Sequence, residues 1–273
     1  MFGICLDHVR EMRPHIHCIT NYVTANDCAN ILLACGGSPI MADCPLESAE
    51  ITALCDGLLL NTGTLNPDKL SAMKLSGMTA NTLHHPVVLD PVGAGASGFR
   101  TDSVRNLLKE IRVDVIRANL SEIKALFCHE TSSHGVDAVS SDVITEKNLP
   151  EMAEYLKSIA GIAGTVIAVT GQIDIITDGN QAFCIRNGCS VMQSVTGSGC
   201  QLSALTAAFL TANPEQILLS AAAAVCAMGI CGQTALAHLL PYEGNASFRN
   251  RIIDAVYHLD ASALDQQADY IIL

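Results

Sequence analysis

Residues 86–95 read PVVLDPVGAG, an apolar run that ends in an acid, a proline and two glycines. Continuous apolar runs of this kind are typical of parallel strands that are covered by helices on both faces. The proline and the glycines end the strand just after Asp90, so they put that carboxylate at the strand's carboxyl end. The glycines also indicate that another group approaches the backbone closely at this point.

The same pattern recurs along the chain. Further apolar runs with polar ends occupy residues 17–23, 57–63, 113–123 and 164–171. Helical spacing of apolar residues is found at residues 26–35, 67–78, 102–110, 122–127 and 149–160. This alternation predicts an α/β fold with a parallel sheet and right-handed crossovers.

The remainder of the chain adds a hairpin and a helical end. Residues 174–188 contain two short apolar runs joined by Asp178-Gly179-Asn180, which supplies turn chemistry. From residue 201 onward the sequence reads almost wholly helical. Neither a linker nor a repeat divides the chain, so residues 1–273 are predicted to form one domain.

Composition excludes several classes of partner. The net charge is −12 and no run of Lys and Arg exceeds two residues, which disfavours nucleic-acid binding. Residues 217–237 are long and apolar enough to span a membrane, but alanine and glycine dominate and no aromatic belt flanks them. They predict a buried helix and no membrane partner. Only 15% of residues are charged, which favours burial of surface against copies of the same chain.

Twelve cysteines are present, and no C-x-x-C pair occurs among them. Disulfide-dense domains are small and secreted, whereas this chain has 273 residues and carries charges where a signal peptide needs an apolar core. The cysteines are therefore predicted to be reduced thiols in a cytoplasmic protein, most of them buried as small apolar side chains.

Polar residues follow the predicted strands, where an open parallel sheet binds its ligands. They are Asn21, Asn61, Asp90, Asn119, Thr170 and, close behind Asn119, Glu122. The two acids suit Mg²⁺ that carries a phosphate group. A helix N-cap is the alternative, and for the three asparagines the two interpretations are equally open.

Residues 194–210, SVTGSGCQLSALTAAFL, put Cys200 where a glycine turn opens into a helix. The first backbone N–H groups of a helix have no partners within it, and the helix dipole favours negative charge there. We expect an anion site at this turn and a Cys200 pKa lowered from about 8.5 towards about 7. Cys200 could then accept a proton from a substrate hydroxyl; the alternative is a small residue that only fills space.

Segments in this order resemble the hydroxyethylthiazole kinase family. They are HCITNYVTANDCANILLACGGSPIMAD (residues 17–43), LLLNTGTL (58–65), VVLDPVGAGAS (87–97), VIRANLSEI (115–123), VIAVTG (166–171) and VTGSGC (195–200). The resemblance implies a three-layer α/β/α ribokinase-like fold with a mostly parallel sheet. It also implies a homotrimer with active sites at subunit interfaces. The implied reaction is the Mg²⁺-dependent transfer of the ATP γ-phosphate to 4-methyl-5-(2-hydroxyethyl)thiazole in thiamine salvage.

The resemblance also implies roles for individual residues. Cys200 would be the catalytic base. The substrate would contact Met41 and Gly197, in a pocket that is lined by Asn21 and Val23. ATP would contact Arg117 and Thr170. The Mg²⁺–phosphate site would include Asp90 and Glu122.

Two departures and two alternatives stay open. Ala118 stands where the family often has glycine, which matters if the backbone there has positive φ or the nucleotide passes very close. Residues 131–142 read as a surface loop to which no chemistry is assigned.

Related sugar and pyrimidine kinases carry an Asp base in a G-x-G-D pattern, and Cys200 argues against them. A non-catalytic binder would need no base.

Overall fold

The computed structural model describes residues 1–128 and 143–273. The loop predicted at residues 131–142 therefore lies outside the described residues. The described part is built around one nine-stranded sheet of order β2-β1-β3-β4-β5-β6-β7-β8-β9. The strands are β1 (His15–Ile19), β2 (Ser38–Met41), β3 (Gly57–Asn61), β4 (Val87–Asp90), β5 (Val115–Asn119), β6 (Val166–Thr170), β7 (Asp174–Thr177), β8 (Ala182–Ile185) and β9 (Tyr270–Ile272).

The first six strands pair in parallel, and the last three join antiparallel at one edge. The α-helices of the described residues are α1 (Gly3–Met12), α2 (Ala25–Cys35), α3 (Ser48–Leu54), α4 (Pro67–Leu83), α5 (Gly98–Glu110), α6 (Leu120–Phe127), α7 (Leu149–Ala163), α8 (Ser198–Ala212), α9 (Ile217–Ala237), α10 (Asn245–His258) and α11 (Ala261–Gln267). The predicted α/β class with a mostly parallel sheet is confirmed.

Two apolar cores lie on opposite faces of the sheet. Successive residues of β3 alternate between them, since Leu59 joins one core while Leu58 and Leu60 join the other. The first core contains side chains from α1, α2 and α8 to α11, and the second contains side chains from α4 to α7. The three-layer α/β/α arrangement follows from this double covering.

Helix α9 corresponds to the long apolar segment that the sequence predicts to be buried in the fold. It is long and apolar enough to span a bilayer, yet 78% of its most apolar window is buried inside the fold. Its alanines pack in the first core against α8 and the sheet. The predicted buried helix is confirmed.

The helical ending predicted after residue 201 is wrong at one point. Tyr270–Ile272 forms β9, which pairs antiparallel with β8. The Tyr270 ring also packs against Phe2, with ring centroids 4.9 Å apart. The antiparallel hairpin leaves β8 with an unpaired edge, and a short β-branched segment at the end of the chain covers it.

The carboxyl ends of the strands bring the predicted polar residues together. Strands β3, β4, β5 and β6 end at Asn61, Asp90, Asn119 and Thr170. Asn61 is the register partner of Asp90, and Asn119 is the register partner of Thr170. One edge of the sheet therefore presents these side chains side by side, as the sequence predicts.

Candidate active site

Helix α8 begins directly above this edge. Its N-cap is Gly197, whose φ of 87° lies in the left-handed region. A Cβ at Gly197 would come within 2.3 Å of the Thr24 side chain, so the position requires glycine both for its backbone and for its space. The backbone N–H groups of Gly199 and Cys200 have no hydrogen-bond acceptor among the described residues. Two unpaired donors at a helix N-terminus are a favourable arrangement for binding an anion.

Arg117 lies across the same helix end. Its guanidinium group is so close to Gly199 that a Cβ there would be 2.9 Å from both terminal nitrogens. The side chain is buried, and Nη2 donates to Asp90 Oδ2 at 2.7 Å. Nε donates to Ser203 Oγ at 2.8 Å and Nη1 to Thr170 Oγ1 at 3.3 Å. Arg117 therefore ties the ends of β4, β5 and β6 to α8.

Asp90 is the carboxylate on which these contacts converge. Its Oδ2 accepts from Arg117, from Asn61 Nδ2 at 2.8 Å and from Ser203 Oγ at 2.8 Å. The other oxygen, Oδ1, is buried and has no hydrogen-bond partner within residues 1–128 and 143–273. Buried acceptors are rarely left unpaired, so this oxygen is available to a bound group.

Glu122 has a different setting from the other predicted acid. It belongs to a capping box at the start of α6, in which Asn119 Oδ1 accepts from the Glu122 N–H and Glu122 Oε2 accepts from the Asn119 N–H. Oε1 accepts from the Gly93 N–H at 2.9 Å, which fixes the glycine turn after β4. Burial raises the Glu122 pKa. The N-cap interpretation is therefore correct for Asn119, and Glu122 holds together the turn that follows Asp90.

The sulfur of Cys200 faces the ends of β1 and β3. Asn61 Nδ2 lies 3.2 Å and Asn21 Nδ2 lies 3.3 Å from Sγ. Burial, and secondarily the negative charge of Asp90, raise the Cys200 pKa above its ordinary value, against the opposing effects of neighbouring donors and Arg117. The predicted lowering of the Cys200 pKa is therefore wrong. The helix dipole is present, but desolvation of the thiolate outweighs it.

The predicted substrate residues lie on the side of the site nearest β1 and β2. Asn21 is buried and contacts Cys200 directly, while Gly197 packs against Thr24. Met41 ends β2 with 39% of its surface exposed, and Val23, in the turn before α2, is 58% exposed. Asn21 and Gly197 thus lie close to the Cys200 sulfur, whereas Met41 and Val23 are exposed side chains in the segments that end β2 and precede α2.

A second feature of the site is a cleft of about 890 Å³ next to Arg117. Arg117 and Thr170, the predicted ATP residues, both line it, together with Gly199 from the start of α8. Asp174, which sequence reasoning did not select, also lines the cleft. Burial raises its pKa to about 7, although its Oδ1 accepts the Gly171 N–H at 2.8 Å.

Two residues of this centre received no role from the sequence. The sequence leaves Asn61 open between an N-cap and a site residue, and the strand-end pattern does not select Ser203. Ser203 follows Cys200 by three residues, which is the spacing of neighbours on one helix face, and this signal could have found it. Ala118 lies inside β5 and does not have the positive φ that would make its departure from glycine costly.

No group of three or more His, Cys, Asp or Glu residues that could hold a metal ion occurs in the described ranges. None of the twelve cysteines, all of which lie in the described ranges, forms a disulfide, and nine of them are buried, as predicted for most of them.

Comparison with known proteins gives one consistent result. The model of the hydroxyethylthiazole kinase family matches residues 6–262. Hydroxyethylthiazole kinase of Clostridium acetobutylicum is 49% identical over 97% of this chain and 97% of its own length. The enzyme of the same name from Desulfovibrio desulfuricans is 40% identical over 98% of this chain and 97% of its own length.

Solved structures agree with the sequence relatives. The structure of a hydroxyethylthiazole kinase protein from Pyrococcus horikoshii OT3 superposes with a TM-score of 0.88 at 33% identity, over all of this chain and 98% of that one. A ribokinase-like superfamily protein from Enterococcus faecalis V583 shares the fold, with a TM-score of 0.58 at 13% identity over 92% of this chain and 95% of its own. The chain belongs to the hydroxyethylthiazole kinase family and has a ribokinase-like fold.

Proposed function

We propose that this protein transfers the γ-phosphate of ATP to the primary hydroxyl of 4-methyl-5-(2-hydroxyethyl)thiazole, giving the thiazole phosphate and ADP in thiamine salvage. The observation that carries the proposal is Cys200 at the N-terminus of α8, next to two unpaired backbone N–H groups. The names and the extensive similarity of the relatives support the same reaction.

The two sides of the centre divide the reactants between them. Asn21, Val23, Met41 and Gly197 would contact the thiazole on the β1–β2 side. ATP would occupy the 890 Å³ cleft, with its phosphates near Arg117 and Thr170. The acceptor hydroxyl would then lie beside the Cys200 sulfur, which accepts its proton, and the N–H groups of Gly199 and Cys200 would stabilise the charge of the moving phosphoryl group.

Mg²⁺ is the cofactor that the acids of the centre fit. Asp90 Oδ1 is a buried carboxylate oxygen without a partner, and Mg²⁺ is usually held by one or two carboxylates together with phosphate oxygens and waters. Asp90 would bind the ion, and Glu122 would contribute its remaining acceptor capacity from the adjacent turn. When bound, Mg²⁺ neutralises charge on the ATP phosphates.

The pairing of Arg117 with Asp90 gives the centre a fixed cation. Phosphoryl transfer needs positioning and charge stabilisation more than covalent help from the protein. Arg117 is held by three polar contacts, so its guanidinium is already oriented before the nucleotide arrives. An oriented cation loses little side-chain entropy when it contacts a phosphate.

An assay of ADP formation with different acceptors tests the proposed reaction. We expect ADP release with hydroxyethylthiazole when both ATP and Mg²⁺ are present, and background release with ribose or hydroxymethylpyrimidine. Omission of Mg²⁺ is the matched control for the metal. Turnover with ribose and none with the thiazole would assign the chain to a different reaction within the same fold.

We also propose a cytoplasmic homotrimer whose active sites lie between subunits. Support comes from large apolar side chains that are exposed in the segments following β1 and β2: Tyr22 is 79% exposed, Val23 58% and Leu46 91%. Exposed apolar surface of this kind is typical of protein–protein interfaces. The lack of disulfides among the twelve cysteines, all within the described ranges, fits a reducing compartment.

Replacement of Leu46 by Asp is expected to weaken the trimer, because a charge at a buried apolar contact is costly. Light scattering should give about three chain masses for the unaltered protein and a smaller mass for Leu46→Asp. Leu240→Asp, at an exposed apolar residue just beyond the end of α9, is the control that should keep the larger mass. A monomeric unaltered protein with full activity would contradict shared sites.

A further inference from the structure

We propose that Asn21 and Asn61 are positioning residues that stabilise the thiolate form of Cys200 through two converging side-chain N–H groups. The inference deepens the proposed role of Cys200 as a base. It concerns the state of the sulfur itself, so it can be tested separately from catalysis.

The Cys200 sulfur accepts hydrogen bonds from two side-chain amides. Asn61 Nδ2 lies 3.2 Å from Cys200 Sγ and Asn21 Nδ2 lies 3.3 Å from it. Both amides are buried, Asn61 completely and Asn21 with 5% of its surface exposed. Two polar donors aimed at one sulfur stabilise its negatively charged form more than its neutral form, because hydrogen bonds to charged groups are the stronger ones.

The orientation of both amides is fixed by the backbone. Asn61 Oδ1 accepts the Gly63 N–H at 3.0 Å, so the NH₂ group of Asn61 must lie on the opposite side. Asn21 Oδ1 accepts the Thr24 N–H at 3.1 Å, which fixes the second NH₂ group in the same way. A backbone N–H can only donate, so neither amide can turn an oxygen towards the sulfur without losing this bond.

The hydrogens of the two NH₂ groups are all assigned. Asn21 donates one to Asn61 Oδ1 at 3.1 Å and the other to the sulfur. Asn61 donates one to Asp90 Oδ2 at 2.8 Å and the other to the sulfur. The Asn61 amide thus lies between the carboxylate of Asp90 and the thiolate, and it donates to both of these negative groups.

The charged and titratable groups around Cys200 act in opposite directions. Asp90 at the end of β4 opposes ionisation of the thiol, and Arg117 on β5 favours it. On α2, Cys28 is the nearby titratable group; burial raises its pKa to about 12, so it stays neutral. Burial opposes the thiolate most strongly. Side-chain hydrogen bonds from Thr24 and Asn61 counteract it, and Asn21 adds a donor by its position, 3.3 Å from the sulfur.

The test measures ionisation of Cys200 by alkylation. The rate of carboxamidomethylation of the Cys200 peptide by iodoacetamide is followed by mass spectrometry across pH in the full-length protein. We expect Asn21→Ala and Asn61→Ala each to raise the midpoint by about one pH unit, the effect of losing one hydrogen bond to a charged group. Because each variant also opens space, the pH midpoint is compared and not the absolute rate.

Ser203→Ala is the matched control. It removes a donor to Asp90 Oδ2, as Asn61→Ala does, but Ser203 does not donate to the sulfur. Its midpoint should move by less than about 0.3 pH unit. Unchanged midpoints in both asparagine variants, or an equal shift in Ser203→Ala, would overturn the inference. Should Asn61→Ala fail to fold, Asn21→Ala decides alone, because its backbone contact is local to the turn before α2.

The outcome is independent of the proposed reaction. If alteration of Cys200 leaves turnover intact while the asparagine variants still move the alkylation midpoint, the sulfur is stabilised as a thiolate but is not the base. If turnover depends on Cys200 and the midpoints do not move, the base is correct and the role given to the asparagines is wrong.

Discussion

Cys200→Ala is expected to lower kcat by about 10²-fold or more and to leave KM for the thiazole nearly unchanged, since a general base acts in the transition state and contributes little to ground-state binding. The N–H groups of Gly199 and Cys200 belong to the backbone and survive the substitution. The measurement is a steady-state assay of ADP release at saturating ATP, with kcat and KM fitted separately.

Cys28→Ala provides the control for this experiment. Cys28 is a completely buried thiol, and the structure places it near Cys200 on the neighbouring helix α2. Its removal leaves a cavity of similar size without removing a candidate base, so we expect kcat to stay within about threefold of the original. An unchanged kcat in Cys200→Ala would reduce that residue to a packing role, and an equal loss in both variants would point to cavity formation.

The pH dependence of the unaltered protein follows from the same assignment. Because burial raises the Cys200 pKa, only a fraction of the sulfur is ionised near neutral pH. Below the pKa, the thiolate fraction increases about tenfold for each pH unit, so kcat/KM should rise with pH through the neutral range. An essential cation that lost its proton over the same pH range would instead make kcat/KM fall as the pH rises.

The strand ends show how much of the site a sequence can predict. Apolar runs ending in Asn61, Asp90, Asn119 and Thr170 place those residues at one edge of the sheet, because carboxyl ends of parallel strands coincide there. Edge elements are harder to predict. Strand β2 has only four residues and includes Pro39, and β9 depends on an edge that exists only once β8 has formed.

The chemistry inside the site depends on contacts that no sequence pattern specifies. A cysteine at a helix start suggests a lowered pKa, but burial and the charge of Asp90 decide the direction. Asn119 and Asn61 look alike as asparagines at strand ends, yet one caps a helix and the other donates to the sulfur. Glu122, three residues after Asn119, is a capping-box signature that the sequence does show, whereas the contact of Asn61 with the sulfur depends on where α8 begins above β3.

Arg117→Met is expected to lower the free energy of unfolding by about 3–5 kcal/mol, the cost of breaking a buried ion pair from one side. Methionine keeps much of the apolar volume, but Asp90 is left as a buried carboxylate without its cation. Ser203 and Asn61 still donate to Oδ2, and neither carries a charge. The measurement is urea denaturation at one fixed protein concentration, because subunit association changes apparent stability.

A double variant separates the ion pair from packing. Adding Asp90→Asn to Arg117→Met removes the unpaired charge, so the double variant should regain much of the lost stability while remaining inactive. Arg186→Met is the control, because it breaks an ion pair with Glu146 at the surface and should leave the urea midpoint nearly unchanged. If the double variant were no more stable than Arg117→Met, the loss would come from packing around the guanidinium. If the double variant recovers stability but has no turnover, the Arg117–Asp90 ion pair is needed for the reaction and not for folding.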